Sequence, residues 1–225
     1  MRPTILFAAV IAAAACSSDS SSSPITSTPD PKSPSGLNVS IDSGYADRAA
    51  VVATTIPAIV HITLAGQPAP GIAVTWIVTS GHGTVSTAAV TTDATGAATT
   101  TWTLGDTAGV NGLEAVISDA SATMQATGIA ADASALKGAS PDSDAVVAGA
   151  SALISVLATD RFGNAVPGVA VSWTASGGTL TLTSTTTGTN GRAEVAFSSE
   201  AAPRSYVITA TAAGIAPIAF KISGL

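Results

Sequence analysis

Cysteine is almost missing from this chain of 225 residues: Cys16 stands alone, so no intramolecular disulfide can form. Charge is scarce as well. Asp, Glu, Lys and Arg together make up 10% of the residues, against roughly 25% in ordinary soluble domains. The net charge is −6, with only 8 Lys and Arg in the chain. That balance supplies no basic stripe, which excludes nucleic-acid binding by counterion release and a polybasic membrane-surface role. Aromatic residues make up 4% and there are two histidines, His61 and His82. A metal centre needs three or four converging ligands, and a nucleophilic triad needs a positioned base. The chain therefore has little material for either. What is plentiful is apolar: 46% of the residues, enough for sizeable cores.

The N-terminus reads as an address. Arg2 supplies a positive start and Thr4 to Ala15 form an apolar run, TILFAAVIAAAA. This run is shorter than the about 20 residues that span a bilayer, and it has the proportions of a secretory signal peptide over residues 1–15. Ala13-Ala14-Ala15-Cys16 resembles a bacterial lipobox. The resemblance implies cleavage before Cys16, acylation of that residue, and membrane attachment through its chains. More than one acyl chain is needed for stable anchoring. Ser17 in place of Asp implies release to the outer membrane, so the expected location is the cell envelope, at the outer membrane or cell surface. Residues 16–36 combine the lipidated cysteine with a disordered tether. Residues 17 to 36 hold nine Ser and four Pro and one large apolar residue, Ile25. Such a segment cannot offset its ordering entropy by burial. As a flexible chain it spans roughly 25 Å.

The rest repeats. Pro70-Gly71-Ile72-Ala73-Val74-Thr75-Trp76 reappears as Pro167-Gly168-Val169-Ala170-Val171-Ser172-Trp173, an offset of 97. Gly83-Thr84-Val85 matches Gly178-Thr179-Leu180, and Thr91-Thr92 matches Thr186-Thr187, both at an offset of 95. Two domains follow, at 37–131 and 132–225. Ile72, Val74, Trp76 and Val78 alternate with Ala73, Thr75 and Ile77, the period-two pattern of a half-buried strand. Ala193, Val195 and Phe197 alternate with Arg192, Glu194 and Ala196, which puts both charges on the wet face. Asn190-Gly191 is a hairpin signal. The expected fold is all-β: two tandem antiparallel β-sandwiches. Trp76, Trp102, Trp173 and Phe197 are the expected structural core.

Asp160-Arg161-Phe162-Gly163-Asn164-Ala165-Val166-Pro167-Gly168, the strand after it, Gly177-Gly178-Thr179-Leu180 and Thr189-Asn190-Gly191 resemble the signature of bacterial Ig-like domains of group 1, the invasin/intimin repeat family. The first copy is similar at Val74-Thr75-Trp76 and Gly81-His82-Gly83-Thr84-Val85, but its Asp-x-x-Gly-Asn turn is degraded to Leu64-Ala65-Gly66-Gln67. The resemblance implies two tandem immunoglobulin-like antiparallel β-sandwiches, used as a repeated module on bacterial surfaces and in some members as an adhesin stalk.

The chemical candidates are sparse. Asp142 and Asp144 make an oxygen-bearing loop with too few ligands for calcium. There is no Gly-x-Ser-x-Gly elbow and no Gly-rich phosphate loop. Glu114, Glu194 and Glu200 are the only glutamates. No catalytic residue, metal ligand or cofactor is expected. The expected role is a non-enzymatic, lipid-anchored spacer, adhesion or protein-interaction module, with any protein or glycan ligand met at the loops. The alternative is an envelope-tethered module that binds polysaccharide or a small ligand.

Overall fold

The computed structural model describes residues 36–42, 44, 47–140 and 145–225. Among the described residues there is no helix, and the chain is organised as four sheets. The first ten strands are β1 (Leu37–Ile41), β2 (Arg48–Val51), β3 (Thr55–Leu64), β4 (Gln67–Pro68), β5 (Ala73–Ser80), β6 (Thr84–Val85), β7 (Ala89–Thr91), β8 (Ala97–Thr103), β9 (Gly109–Val116) and β10 (Ser121–Ile129). The remaining strands are β11 (Ala133–Gly138), β12 (Ala145–Val146), β13 (Ser151–Asp160), β14 (Ala170–Ala175), β15 (Thr179–Leu180), β16 (Ser184–Thr186), β17 (Arg192–Ser198), β18 (Ser205–Ala212) and β19 (Ile215–Gly224).

The two sets follow one plan. Strands β1-β3-β8-β6 form one sheet, with β4 paired to β3, and β2-β10-β9-β5-β7 form its partner. In the second set β11-β13-β17-β15 and β12-β19-β18-β14-β16 repeat the same order. Both units open with a strand divided between the two sheets. The first half pairs antiparallel, β1 with β3 and β11 with β13. The second half pairs parallel, β2 with β10 and β12 with β19. This shared arrangement is an immunoglobulin-like sandwich. The last strand of the first set ends at Ile129 and the first of the second starts at Ala133.

Alternation along the strands builds each core. In β5, Val74 and Trp76 point inward while Ala73, Thr75 and Ile77 face outward. In β14, Val171 and Trp173 are buried between exposed Ala170, Ser172 and Thr174. Trp76 meets Trp102, Leu113 and Met124 in the first core cluster, and Trp173 joins Phe197, Tyr206 and Phe220 in the second.

The repeated Gly-Thr pair has a packing cause. Gly178 lies at a φ of 70°, and a Cβ there would sit 2.6 Å from the ring of Phe197. At Gly83, its counterpart, a Cβ would overlap the Thr103 carbonyl oxygen and sit 3.0 Å from the Trp102 indole nitrogen. Only a residue without a side chain lets the short strands β15 and β6 cross the aromatic ring beneath them. The degraded turn of the first copy is a two-residue hairpin. Ala65 and Gly66 take φ values of 52° and 82°, and Leu64 pairs with Gln67, the geometry that suits a right-twisted β-ribbon.

Candidate functional site

Trp76, on β5, and Trp102, on β8, lie in opposite sheets of the first sandwich and expose 3% and 0% of their surface. Trp173, on β14, and Phe197, on β17, hold the corresponding places in the second. Both are buried. These rings fill the space between the sheets, so their faces are turned away from any ligand in solvent.

Four residues to which sequence reasoning gave no role also shape the units. Tyr206 is fully buried, packs edge-on to Phe197 at 5.1 Å, and its hydroxyl accepts the Glu200 amide at 2.9 Å. It thereby ties the loop after β17 to the core. Asn111 sits at the equivalent position of the first unit and is also fully buried. Its Oδ1 accepts the Gly105 amide at 3.0 Å and its Nδ2 donates to the Gly109 carbonyl at 3.2 Å. Thr187 is buried, accepts the Val169 amide at 2.9 Å and donates to the Val166 carbonyl at 2.8 Å. Thr92 does the same for Ile72 and Ala69. The repeat of the Thr pairs carried the signal for this last role: each hydroxyl closes the gap where proline and glycine interrupt the backbone ladder.

The ionisable groups are dispersed. Nε2 of His61, on β3, lies 3.6 Å from Asp42 at the surface, and His82 sits in the turn after β5 with a φ of 57°. Glu114 is on β9 and Glu194 on the exposed face of β17. Glu200 accepts the Gly178 amide at 3.2 Å and the Arg204 guanidinium at 3.1 Å. These contacts, the amide first, hold its carboxyl below the usual range. Among the described residues no three His, Cys, Asp or Glu side chains converge as a metal site would require. A shallow apolar depression lined by Leu37, Ile72, Ala73 and Val116 contains no ionisable side chain. Cys16, Asp142 and Asp144 lie outside the described residues.

The family-like turn is the most organised polar group. Asp160 is 3% exposed. Its Oδ1 accepts the amides of Phe162 and Asn164 at 2.9 and 2.8 Å, and its Oδ2 accepts Nδ2 of Asn164 at 2.9 Å. Gly163 supplies the left-handed residue, at a φ of 94°. The guanidinium of Arg161 stacks 4.5 Å over the Phe162 ring. Burial pushes the Asp160 carboxyl up, yet the hydrogen bonds from Asn164, Ala131 and Phe162 outweigh it and hold the carboxyl below its ordinary value.

Strand order, the divided first strand and the core indoles define an immunoglobulin-like β-sandwich protein. Residues 140–220, within the second unit, match the family model described as bacterial Ig-like domain (group 1). No curated protein matches the sequence. Among solved structures, FdeC, an Escherichia coli adhesin, is 21% identical with a TM-score of 0.60, over 88% of this chain and 65% of that one. The D0-D1 domain of intimin is 18% identical with a TM-score of 0.34, over 83% and 97%. The Yersinia pseudotuberculosis adhesin InvE is 15% identical with a TM-score of 0.43, over 84% and 60%.

Proposed function

We propose that this is a lipid-anchored envelope protein whose paired Ig-like sandwiches act as a spacer and adhesive or protein-interaction module at the cell surface. The observation that carries this reading is the duplicated sandwich whose tryptophans, Trp76, Trp102 and Trp173, are all buried in the core. Such a unit offers rigid faces, strand edges and loop tips to a macromolecule. The fold likeness to FdeC, itself an adhesin, supports the same reading.

The order of the parts fits the role. Acylated Cys16 would hold the foot, the Ser/Pro segment up to residue 36 would lift the folded part from the lipid, and each sandwich would add roughly 30–35 Å of reach. Protease shaving of intact cells, followed by mass spectrometry of the released peptides, tests this. Peptides from residues 37–225 are expected in the released fraction. Their retention until the cells are lysed would contradict surface display.

A further inference from the structure

The turn from Asp160 to Asn164 reaches beyond its own sandwich. Nδ2 of Asn164 donates to the Asp106 carbonyl at 2.8 Å, and Oδ1 of Asn164 accepts the Ala108 amide at 2.8 Å. Both partners belong to the loop between β8 and β9 of the first unit. Oδ2 of Asp160 accepts the Ala131 amide at 3.0 Å, in the three-residue link between β10 and β11. One turn of the second unit thus holds both the end of the first unit and the link itself.

From this geometry we infer that the Asp160–Asn164 turn is a docking clasp for the preceding sandwich, and that it makes the two units one rigid rod. Three features carry the inference. The Asn164 side chain bonds a carbonyl and an amide two residues apart, so it reads the backbone of the loop and not its side chains. The loop it grips is held from the other side by buried Asn111, which bonds Gly105 and Gly109 at its two ends. A preorganised loop costs little further ordering when it docks. The third feature is the contrast with the first unit. There the corresponding turn is Leu64-Ala65-Gly66-Gln67, with Leu64 in the place of Asp160, and what precedes that unit in sequence is the Ser/Pro-rich segment 17–36. Leu64 is exposed where Asp160 is buried. The carboxylate–amide pair stands where a sandwich precedes it and is replaced where the tether does. The inference is independent of anchoring and of adhesion.

The test is the distribution of distances between spin labels in the full chain carrying Cys16→Ser. One label is placed at Thr99 and one at Thr174, exposed positions of the first and second units. A single narrow distribution is expected. In Asn164→Ala it should broaden to about twice the width or more, since independent motion is the default for weakly joined domains. Ala108→Pro, which removes the amide donor from the other side of the contact, should broaden it likewise. Label pairs within each unit, Thr99 with Thr123 and Thr174 with Glu194, should be unchanged, which separates release of the clasp from unfolding. A broad distribution in the parent chain, or one that stays narrow in both variants while the pairs within each unit are intact, would overturn the clasp.

Discussion

The indole N–H of Trp173 donates to the Thr185 hydroxyl at 2.8 Å, whereas the indole N–H of Trp76, one unit earlier, is buried without an acceptor. The strand registers explain the difference. Thr185 lies opposite Val171, and its counterpart opposite Val74 is Val90. A buried donor left unpaired costs about 1–3 kcal/mol. Val90→Thr should therefore raise the stability of the first unit by about 1 kcal/mol. Thr185→Val should lower that of the second by about as much or more. Thermal unfolding of the two variants checks both. At about 4–8 °C per kcal/mol for a domain of this size, the shifts are measurable and opposite in sign.

The core claim is tested more harshly by Trp173→Ala. The side chain is 2% exposed and lies among Phe197, Tyr206 and Phe220 in one buried cluster. Truncating it should cost about 3–5 kcal/mol, a large share of the stability of a small domain. Calorimetry should show the second unit melting far earlier while the first keeps its transition. A second transition close to the unsubstituted one would contradict the packing described here.

Acid should weaken the junction. The Asp160 carboxyl is held below the ordinary value of 3.8 in the folded chain. A lowered folded pKa gives stability that is complete above the unfolded value and is lost as the pH falls through the folded one. The contribution of Asp160 should therefore persist from neutral pH down to about 3.8 and decline below it. Asp160→Asn should flatten that acid limb when unfolding is followed across pH. Asp93 and Glu200, also held below their usual values by hydrogen bonds, should leave a residual slope.

Much of this architecture is legible in the residues. The alternation around Trp76 and Trp173, the Pro-Gly entries and the Gly-Thr pairs identify the strands, because each depends on local geometry. The contrast between Thr185 and Val90 is not legible in the same way, since it appears only when β16 is set in register against β14 and β7 against β5. Asn111 reads as a polar residue within a strand, and only its burial beneath the Gly105–Gly109 loop reveals its task. The reach of Asn164 to Asp106 and Ala108 lies further still from the sequence, for it needs two folded units to meet. The Leu64–Gln67 turn shows the converse. Loss of the Asp-x-x-Gly-Asn residues left the sandwich intact, because a two-residue hairpin with Ala65 and Gly66 at positive φ closes the same strand end.

The central claim, a pair of sandwiches held at the envelope by an acylated cysteine, is tested most directly by fractionating cells that express the natural chain or Cys16→Ser. The natural chain should partition into the detergent phase and sediment with membranes, and Cys16→Ser should move to the soluble fraction with both sandwiches folded. Equal membrane partition of the two would contradict the anchor and with it the proposed role.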